Sequence, residues 1–145
     1  MKWFKEKRIV VPFDFSADSV EAIEVALTMA PRQEDIYVLH VIPELPANDP
    51  YVIWDDDCDR KRKEHARIQV KNRLADLNAS GINVDIGIGK AGATIAKLAN
   101  QIDAGLIIIP SHNERGIKRL LIGSTAERVV RLAKCPVLVL KEDAA

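Results

Sequence analysis

The sequence has little of several features that define particular classes of protein. Only two of its 145 residues are cysteines, and aromatic residues make up 5%. No apolar run approaches the roughly 20 residues that cross a bilayer. Cys58 and Cys135 show neither metal-ligand spacing nor a CxxC pair, which argues against a disulfide-rich or zinc-bound fold. We expect Cys58, in an acidic stretch, to be at least half-exposed, and Cys135 to be a small core residue.

No excess of either charge is present, because Lys plus Arg and Asp plus Glu each number 21. A neutral chain argues against a dedicated nucleic-acid binder, which usually carries a basic excess. The start of the chain, MKWFKEKR, is not followed by a long apolar segment, so we predict no signal peptide, no membrane partner and a cytoplasmic location. The three histidines do not stand at metal-ligand spacing, and we predict no metal site and no covalent catalysis.

Apolar and helical patterns alternate along the whole chain. The apolar runs are mostly continuous, which is typical of strands buried on both faces. These runs are Ile9–Val11, Ile36–Val41, Val84–Ile88, Leu106–Ile109 and Val137–Leu140. The helical patterns begin at a capping box at Asp18, near Asp57 or Asp59, near Ala93 and at Ser124. The alternation predicts a single domain over residues 1–145, with an α/β fold: a doubly wound, Rossmann-like five-stranded parallel sheet and four helices.

Two further segments carry predictions about the connections. The stretch from Pro43 to Asp56 contains three prolines and is too long for an ordinary connection, so it predicts a flexible flap. The acidic run Asp55–Asp59 and the four basic residues after it are interpreted as a helix start with a solvated face. Gly81 is predicted to end that helix in a left-handed conformation.

Candidate ligand residues follow the strands, because ligands of such sheets bind beyond the carboxyl ends of the strands where the strand order reverses. Asp14 follows the first strand; it can accept hydrogen bonds from a ribose or a base, or it can serve the turn before the next helix. After the fourth strand, Gly123 precedes a helix start whose backbone N–H groups can bind an anion. Alternatively, Ser124 caps that helix in a capping box with Glu127.

The segment Gly87–Gly92 matches the dinucleotide pattern GxGxxG literally. A dinucleotide site also requires an acid at the end of the next strand, and the sequence there is Ile109-Pro110-Ser111-His112. We therefore interpret Gly89 and Gly92 as a tight strand-to-helix turn rather than as an NAD site.

Four segments resemble the universal stress protein family, in the right order and at the right spacing. They are RIVVPFDFSADS (Arg8–Ser19), VLHVIP (Val38–Pro43), GLIIIPSH (Gly105–His112) and GSTAERVVRLAKCPVLVL (Gly123–Leu140). The resemblance implies an adenine nucleotide alpha hydrolase-like sheet of order 3-2-1-4-5, a stress-response or regulatory role and no established catalytic residue. It also implies a homodimer formed through the strand Val137–Leu140, whose apolar edge would otherwise be a pairing liability.

The ATP-binding members of that family carry a loop of the form G-x2-G-x9-G-S/T after the fourth strand. In this sequence the loop falls on Pro110, Asn113, Gly123 and Ser124, so the spacing is intact but the first two glycines are replaced. Proline has no N–H to offer a phosphate, and the Asn113 side chain would crowd a close backbone approach.

The nucleoside end of the site matches ATP-binding members more closely. Pro12, Asp14 and Val41 match positions that surround adenosine, and Ile109 matches an apolar base contact. The resemblance therefore implies a weakened site for ATP (with Mg²⁺) or AMP, with slow hydrolysis or none; the alternative is a dimeric interaction module without nucleotide. The predicted nucleotide-binding residues are Pro12, Phe13, Asp14, Val41, Ile109, Pro110, Asn113, Gly123, Ser124 and Thr125.

Overall fold

The computed structural model describes residues 8–111 and 122–141. Its elements alternate between strands and helices, as the sequence predicts. In chain order they are β1 (Ile9–Pro12), α1 (Ala17–Met29), a 3-10 turn (Gln33–Asp35), β2 (Ile36–Ile42), α2 (Pro50–Trp54), α3 (Cys58–Asp76), β3 (Asn83–Ile88), α4 (Ala91–Gln101), β4 (Leu106–Pro110), α5 (Ser124–Leu132) and β5 (Val137–Leu140).

The strands form one parallel sheet in the order β3-β2-β1-β4-β5. This arrangement confirms the predicted fold class and strand order. β1 lies at the centre of the sheet and all four of its residues are buried. The chain winds from β1 to β2 and β3 on one side and returns to β4 and β5 on the other, so the strand order reverses between β1 and β4.

Two apolar layers cover the sheet. On one face, Ile23 of α1 and Val70 of α3 pack against side chains of β1, β2 and β4, among them Val11. On the other face, Ile95 of α4 and Val129 of α5 pack in the same way. We call these the α1/α3 layer and the α4/α5 layer. Alternate residues of each strand enter opposite layers, as a sheet buried on both faces requires.

The described structure contains one helix more than the four predicted. The additional helix, α2, lies in the stretch expected to be an irregular flap. Asp49 Oδ1 accepts a hydrogen bond from the Tyr51 N–H at 2.9 Å, and Pro50 occupies the first helical position. Proline suits that position because its missing N–H would have had no partner within the helix. The prediction of a connection without helix is therefore wrong for Pro50–Trp54.

Two predicted helix starts are corrected as well. Ser16, not Asp18, caps α1, by accepting from the Ser19 N–H at 3.1 Å. Gly123 is the N-cap of α5 and no side chain caps that helix, so the capping box at Ser124 is wrong.

α3 ends in a Schellman motif that Gly81 does not form. Asn78 takes the left-handed conformation, with φ at 56°, and the Ala79 N–H donates to the Leu74 carbonyl at 2.8 Å. Cys58 is also corrected, because the packed start of α3 buries it, whereas Cys135 is half-buried against the α4/α5 layer.

Candidate functional site

The pairing of β1 with β4 stops before the carboxyl ends of the two strands, and we call the region beyond it the crevice. The two strands pair only at Ile9 with Leu106 and at Val10 with Ile107, although β1 continues to Pro12 and β4 to Pro110. Proline at both strand ends removes two N–H groups that a continued ladder would use. The sheet therefore separates at the point where its strand order reverses.

Beyond this point each strand bonds to its outer neighbour instead. The Phe13 N–H donates to the Leu39 carbonyl of β2 at 2.8 Å. The Ser111 N–H donates to the Leu140 carbonyl of β5 at 2.8 Å. The chain after β1 thus follows β2 and the chain after β4 follows β5, so the pairing of β1 with β4 does not extend to their carboxyl ends.

Asp14 lies at the mouth of the crevice, in the turn from β1 to α1. Its Oδ1 accepts a hydrogen bond from the Ser16 N–H at 3.0 Å, and its own N–H donates to Ser19 Oγ at 3.4 Å. The turn role considered for this residue is therefore confirmed. The residue is nevertheless exposed, and a carboxylate can accept several hydrogen bonds through its two oxygens.

Phe15 fixes the direction of this turn. Its φ is 67°, a left-handed conformation that is costly for an aromatic residue. Ring contacts with Phe13 at 4.9 Å and with His40 at 5.1 Å hold it there. The Phe13 carbonyl can only accept, so it receives a hydrogen bond from His40 Nδ1 at 2.6 Å. The contacts among Phe13, Phe15 and His40 therefore stabilise the backbone turn that contains Asp14.

The apolar residues expected around a base separate into two groups. Val41 and Ile109 both belong to the α4/α5 layer, on the same face of the sheet. Pro12 is buried at the end of β1, the strand that lies between β2, which carries Val41, and β4, which carries Ile109. The Phe13 side chain packs in the α1/α3 layer on the opposite face, so only its backbone faces the crevice edge.

The start of α5 closes the other side of the crevice. The buried Gly123 donates its N–H to the Ser111 carbonyl at 3.0 Å, which ties α5 to the end of β4. Ser124 and Thr125 are exposed in the first turn, where backbone N–H groups have no partner within the helix. Of the predicted set, Asn113 lies outside the described residues.

The glycines of the GxGxxG match have packing roles. A Cβ on Gly92 would lie 2.6 Å from Arg128 Cβ, and one on Gly87 would lie 2.5 Å from Thr94 Cγ2. Gly89 takes a φ of 141° and donates its N–H to the Ile42 carbonyl at 3.1 Å. Gly89 therefore makes the predicted strand-to-helix turn, while Gly92 lets α4 approach α5 closely.

One cation at this edge of the sheet was not among the predicted residues. Lys90 is exposed and is the N-cap of α4, two residues after the carboxyl end of β3. The signal that could have identified it is a basic residue immediately after the glycine that follows a strand.

Within residues 8–111 and 122–141, no three His, Cys, Asp or Glu side chains come together as metal ligands. None of the helices described there is long and apolar enough to cross a membrane.

The chain is similar to several curated proteins along most of its length. The sequence model of the Universal stress protein family matches residues 6–141. Universal stress protein MJ0531 of Methanocaldococcus jannaschii is 30% identical over 142 residues, which cover 94% of this chain and 82% of that protein. Universal stress protein G of Salmonella typhimurium is 29% identical, covering 93% of this chain and 99% of that protein.

Solved structures show the same architecture. The structure of MJ0577 from M. jannaschii has a TM-score of 0.72 at 28% identity and covers 97% of this chain and 99% of its own. Universal stress protein UspA from Lactobacillus plantarum has a TM-score of 0.66 at 25% identity, covering 92% and 97%. A universal stress protein solved in complex with cAMP has a TM-score of 0.62 at 19% identity, a likeness of fold. The match over residues 6–141 shows that this chain belongs to the universal stress protein family.

Proposed function

We propose that this protein binds an adenine nucleoside or nucleotide weakly, in the crevice between β1 and β4. The observation that carries the proposal is the separation of these strands after Val10 and Ile107. It creates an opening at the carboxyl ends of parallel strands, where α/β sheets of this type bind ligands.

Several of the predicted residues have a chemical role in this proposal. Val41 and Ile109 present apolar side chains on one face of the sheet, and Pro12 ends the strand between them. These three would form the wall against which an adenine base packs. Asp14, held by the Phe15 turn, would accept hydrogen bonds from the ribose hydroxyls, and the first-turn N–H groups of α5 would face the phosphates.

The phosphate end of the site is the weaker part. Pro110 offers no N–H there, and its φ is fixed by the ring. We therefore propose that the affinity comes mainly from the nucleoside, that Mg²⁺ would arrive with the phosphates of ATP, and that the protein binds rather than turns over its ligand. No residue is assigned a catalytic role.

The proposal is tested by calorimetric titration of Asp14→Ala against ATP with Mg²⁺ and against AMP. A hydrogen bond to a charged group contributes about 1.5–3 kcal/mol, so we expect the affinity to fall by at least about tenfold. The matched control is Glu34→Ala, which removes an exposed acid from the turn before β2, at the opposite edge of the sheet.

Unchanged affinity in Asp14→Ala, with the melting temperature retained, would remove Asp14 from the site. Absence of both heat and a thermal shift at millimolar ATP for the unaltered protein would refute nucleotide binding altogether.

A second candidate function is a dimeric interaction module that uses no nucleotide. β5 pairs only with β4 in the described sheet, so it forms an edge, and Leu138 on it is exposed. An exposed apolar edge strand favours pairing with a second copy. A stable dimer that gives no heat with ATP or AMP would favour this candidate over nucleotide binding, whereas stoichiometric nucleotide in the purified protein would refute it.

We also propose a cytoplasmic location. Cys58 and Cys135 form no disulfide in the structure. Cysteines without disulfides fit a reducing compartment, and a fractionation experiment that finds the protein outside the cytoplasm would contradict this assignment.

A further inference from the structure

The short helix α2 exposes almost all of its apolar surface. No residue of this helix is buried. Its four exposed apolar side chains are Tyr51 (72% exposed), Val52 (38%), Ile53 (62%) and Trp54 (85%). An ordinary surface helix buries one apolar stripe against the core and turns polar residues to water. The apolar surface of α2 is therefore mostly uncovered in the described part of the chain.

The exposed apolar residues of α2 are contiguous and include two aromatic residues, as is typical of a binding surface. Single exposed apolar residues are normal in soluble proteins, whereas contiguous ones mark interaction sites. Tyr and Trp are enriched at protein interfaces, and truncation of such residues commonly causes the largest losses of binding energy. Tyr51 and Trp54 are three residues apart, so they lie on the same side of the helix.

The chain holds α2 in place from both ends. Asp49 caps its start, and Pro46 and Pro50 limit the conformations of the segment before it. At its end, Asp55 Oδ1 accepts from the Asp57 N–H at 2.9 Å and Asp55 Oδ2 pairs with Lys61 Nζ at 2.7 Å. A helix fixed in this way loses little conformational entropy when a partner binds it.

The base of the segment is tied to α3 in a similar way. Arg62 of α3 donates from its guanidinium to the Pro43 carbonyl at 2.6 Å, just after the end of β2. The segment that contains α2 is therefore bonded to α3 on both sides of the helix, through Pro43 before it and through Asp55 after it.

Acidic residues surround the exposed helix. Residues 43–59 contain six acids and no Lys or Arg. Three of them pair with the start of α3: Asp55 with Lys61, Asp57 with Arg60 and Asp59 with Arg62. The remaining acids are Glu44, Asp49 and Asp56, and the segment 43–63, with six acids and four basic residues, keeps an excess of negative charge. This charge opposes binding to an anionic lipid surface and favours a basic partner.

We propose that α2 is a docking site for a protein partner that presents an apolar groove or helix face rimmed by Lys and Arg. Tyr51 and Trp54 insert into the apolar part of the partner, and Glu44 and Asp56 face its basic rim. This docking site is independent of the nucleotide crevice, since none of the residues assigned to nucleotide binding takes part in it.

The test uses the full chain and two labelled probe peptides. One is a short amphipathic helix of Leu and Lys, and the other has Glu in place of every Lys. In fluorescence anisotropy at about 0.15 M salt, we expect the Leu–Lys peptide to bind and the Leu–Glu peptide not to bind. The variant Tyr51→Ser with Trp54→Ser should weaken binding of the Leu–Lys peptide by at least about tenfold. Because both side chains are exposed, this variant should keep the melting temperature of the unaltered protein.

Two controls separate this site from general stickiness. Ile68→Ser removes another exposed apolar side chain, on α3, and should leave binding unchanged. Glu44→Gln with Asp56→Asn should weaken binding and reduce its dependence on salt.

Each of several outcomes would overturn the proposal. These are no binding of the Leu–Lys peptide, equal binding of the Leu–Glu peptide, and full binding by the Tyr51→Ser, Trp54→Ser variant. Self-association that this variant abolishes would show that a second copy occupies α2 instead. Binding to phosphatidylglycerol vesicles that depends on Trp54 would show a lipid surface instead.

Discussion

At the scale of single residues, Gly92 shows how closely α4 and α5 approach each other. Replacing it with Ala would normally favour a helix by up to about 1 kcal/mol. Here the new Cβ would lie 2.6 Å from Arg128 Cβ and 3.3 Å from the Thr125 carbonyl oxygen. Overpacking costs about 1–3 kcal/mol, so we expect Gly92→Ala to lower the free energy of unfolding.

Urea denaturation measures this effect, with Lys97→Ala as the control on the exposed face of the same helix. A stabilised Gly92→Ala would show that the two helices can separate without cost.

Asp55 gives a prediction about pH at the same scale. The hydrogen bond from Lys61, followed by that from the Asp57 N–H, holds the pKa of the Asp55 carboxyl below its ordinary value. A lowered pKa in the folded protein stabilises the fold above the unfolded pKa of about 3.9, and that contribution is lost as the pH falls through the folded value.

We expect an NMR titration to find this low pKa and to find it raised in Lys61→Gln. Lys71→Gln, which removes a cation farther along α3, should leave it unchanged. An Asp55 pKa that does not respond to Lys61→Gln would contradict the ion pair.

Some residue-level features could be predicted from the sequence and others could not. The position of Asp14 after a strand follows from the apolar pattern, which marks where β1 ends. The left-handed conformation of Phe15 could not be predicted, because ring contacts with Phe13 and His40 stabilise it and His40 lies far from Phe15 along the chain. The burial of Cys58 was missed for the same reason, since it depends on how the start of α3 packs.

At the scale of secondary-structure elements, the cap of α1 carries a prediction. Ser16 Oγ accepts from the Ser19 N–H at 3.1 Å. Loss of such a cap costs about 0.5–2 kcal/mol, and we expect Ser16→Ala to destabilise the protein by this amount.

Thermal unfolding measures the loss, with Thr28→Ala as the control, because the Thr28 hydroxyl only bonds back to the Val25 carbonyl of its own helix. Equal stability of Ser16→Ala and the unaltered protein would show that Asp14 or water replaces the cap.

The strands and long helices could be predicted because their apolar periodicity extends over many residues. α2 was missed because five residues give no measurable period, and its apolar residues do not mark a buried face. The start of α3 near Asp57 could be predicted, whereas the predicted starts or caps of the other three long helices lie one or two residues too late. At α1 several Ser and Asp residues near the start are equally good caps. Only the backbone geometry distinguishes them.

At the scale of the whole molecule, the edge formed by β5 leads to a prediction about assembly. We expect a homodimer through Val137–Leu140, and Leu138→Lys should raise its dissociation constant by at least about tenfold by placing a charge in the interface. Met29→Lys is the matched control, because Met29 is 39% exposed and Leu138 is 37% exposed. Sedimentation equilibrium that shows a monomer at tens of micromolar for the unaltered protein would contradict the expected dimer.

The topology of the sheet could be predicted, whereas the shape of the crevice could not. Alternating strands and helices restrict the chain to a parallel sheet, and the family resemblance supplied the strand order. The separation of β1 from β4 depends on where the pairing of two strands stops, which is a matter of register and of the two prolines at their ends. The sequence indicates those prolines but not the register.

The central claim is that the crevice between β1 and β4 holds the nucleoside and contributes little to phosphate binding. Calorimetric titration of the unaltered protein with adenosine, AMP and ATP with Mg²⁺ tests it most directly. We expect all three to bind with dissociation constants of about 0.1–1 mM and within about threefold of one another. No heat from any of them would contradict the site, and ATP binding about a hundredfold tighter than adenosine would contradict the weak phosphate end.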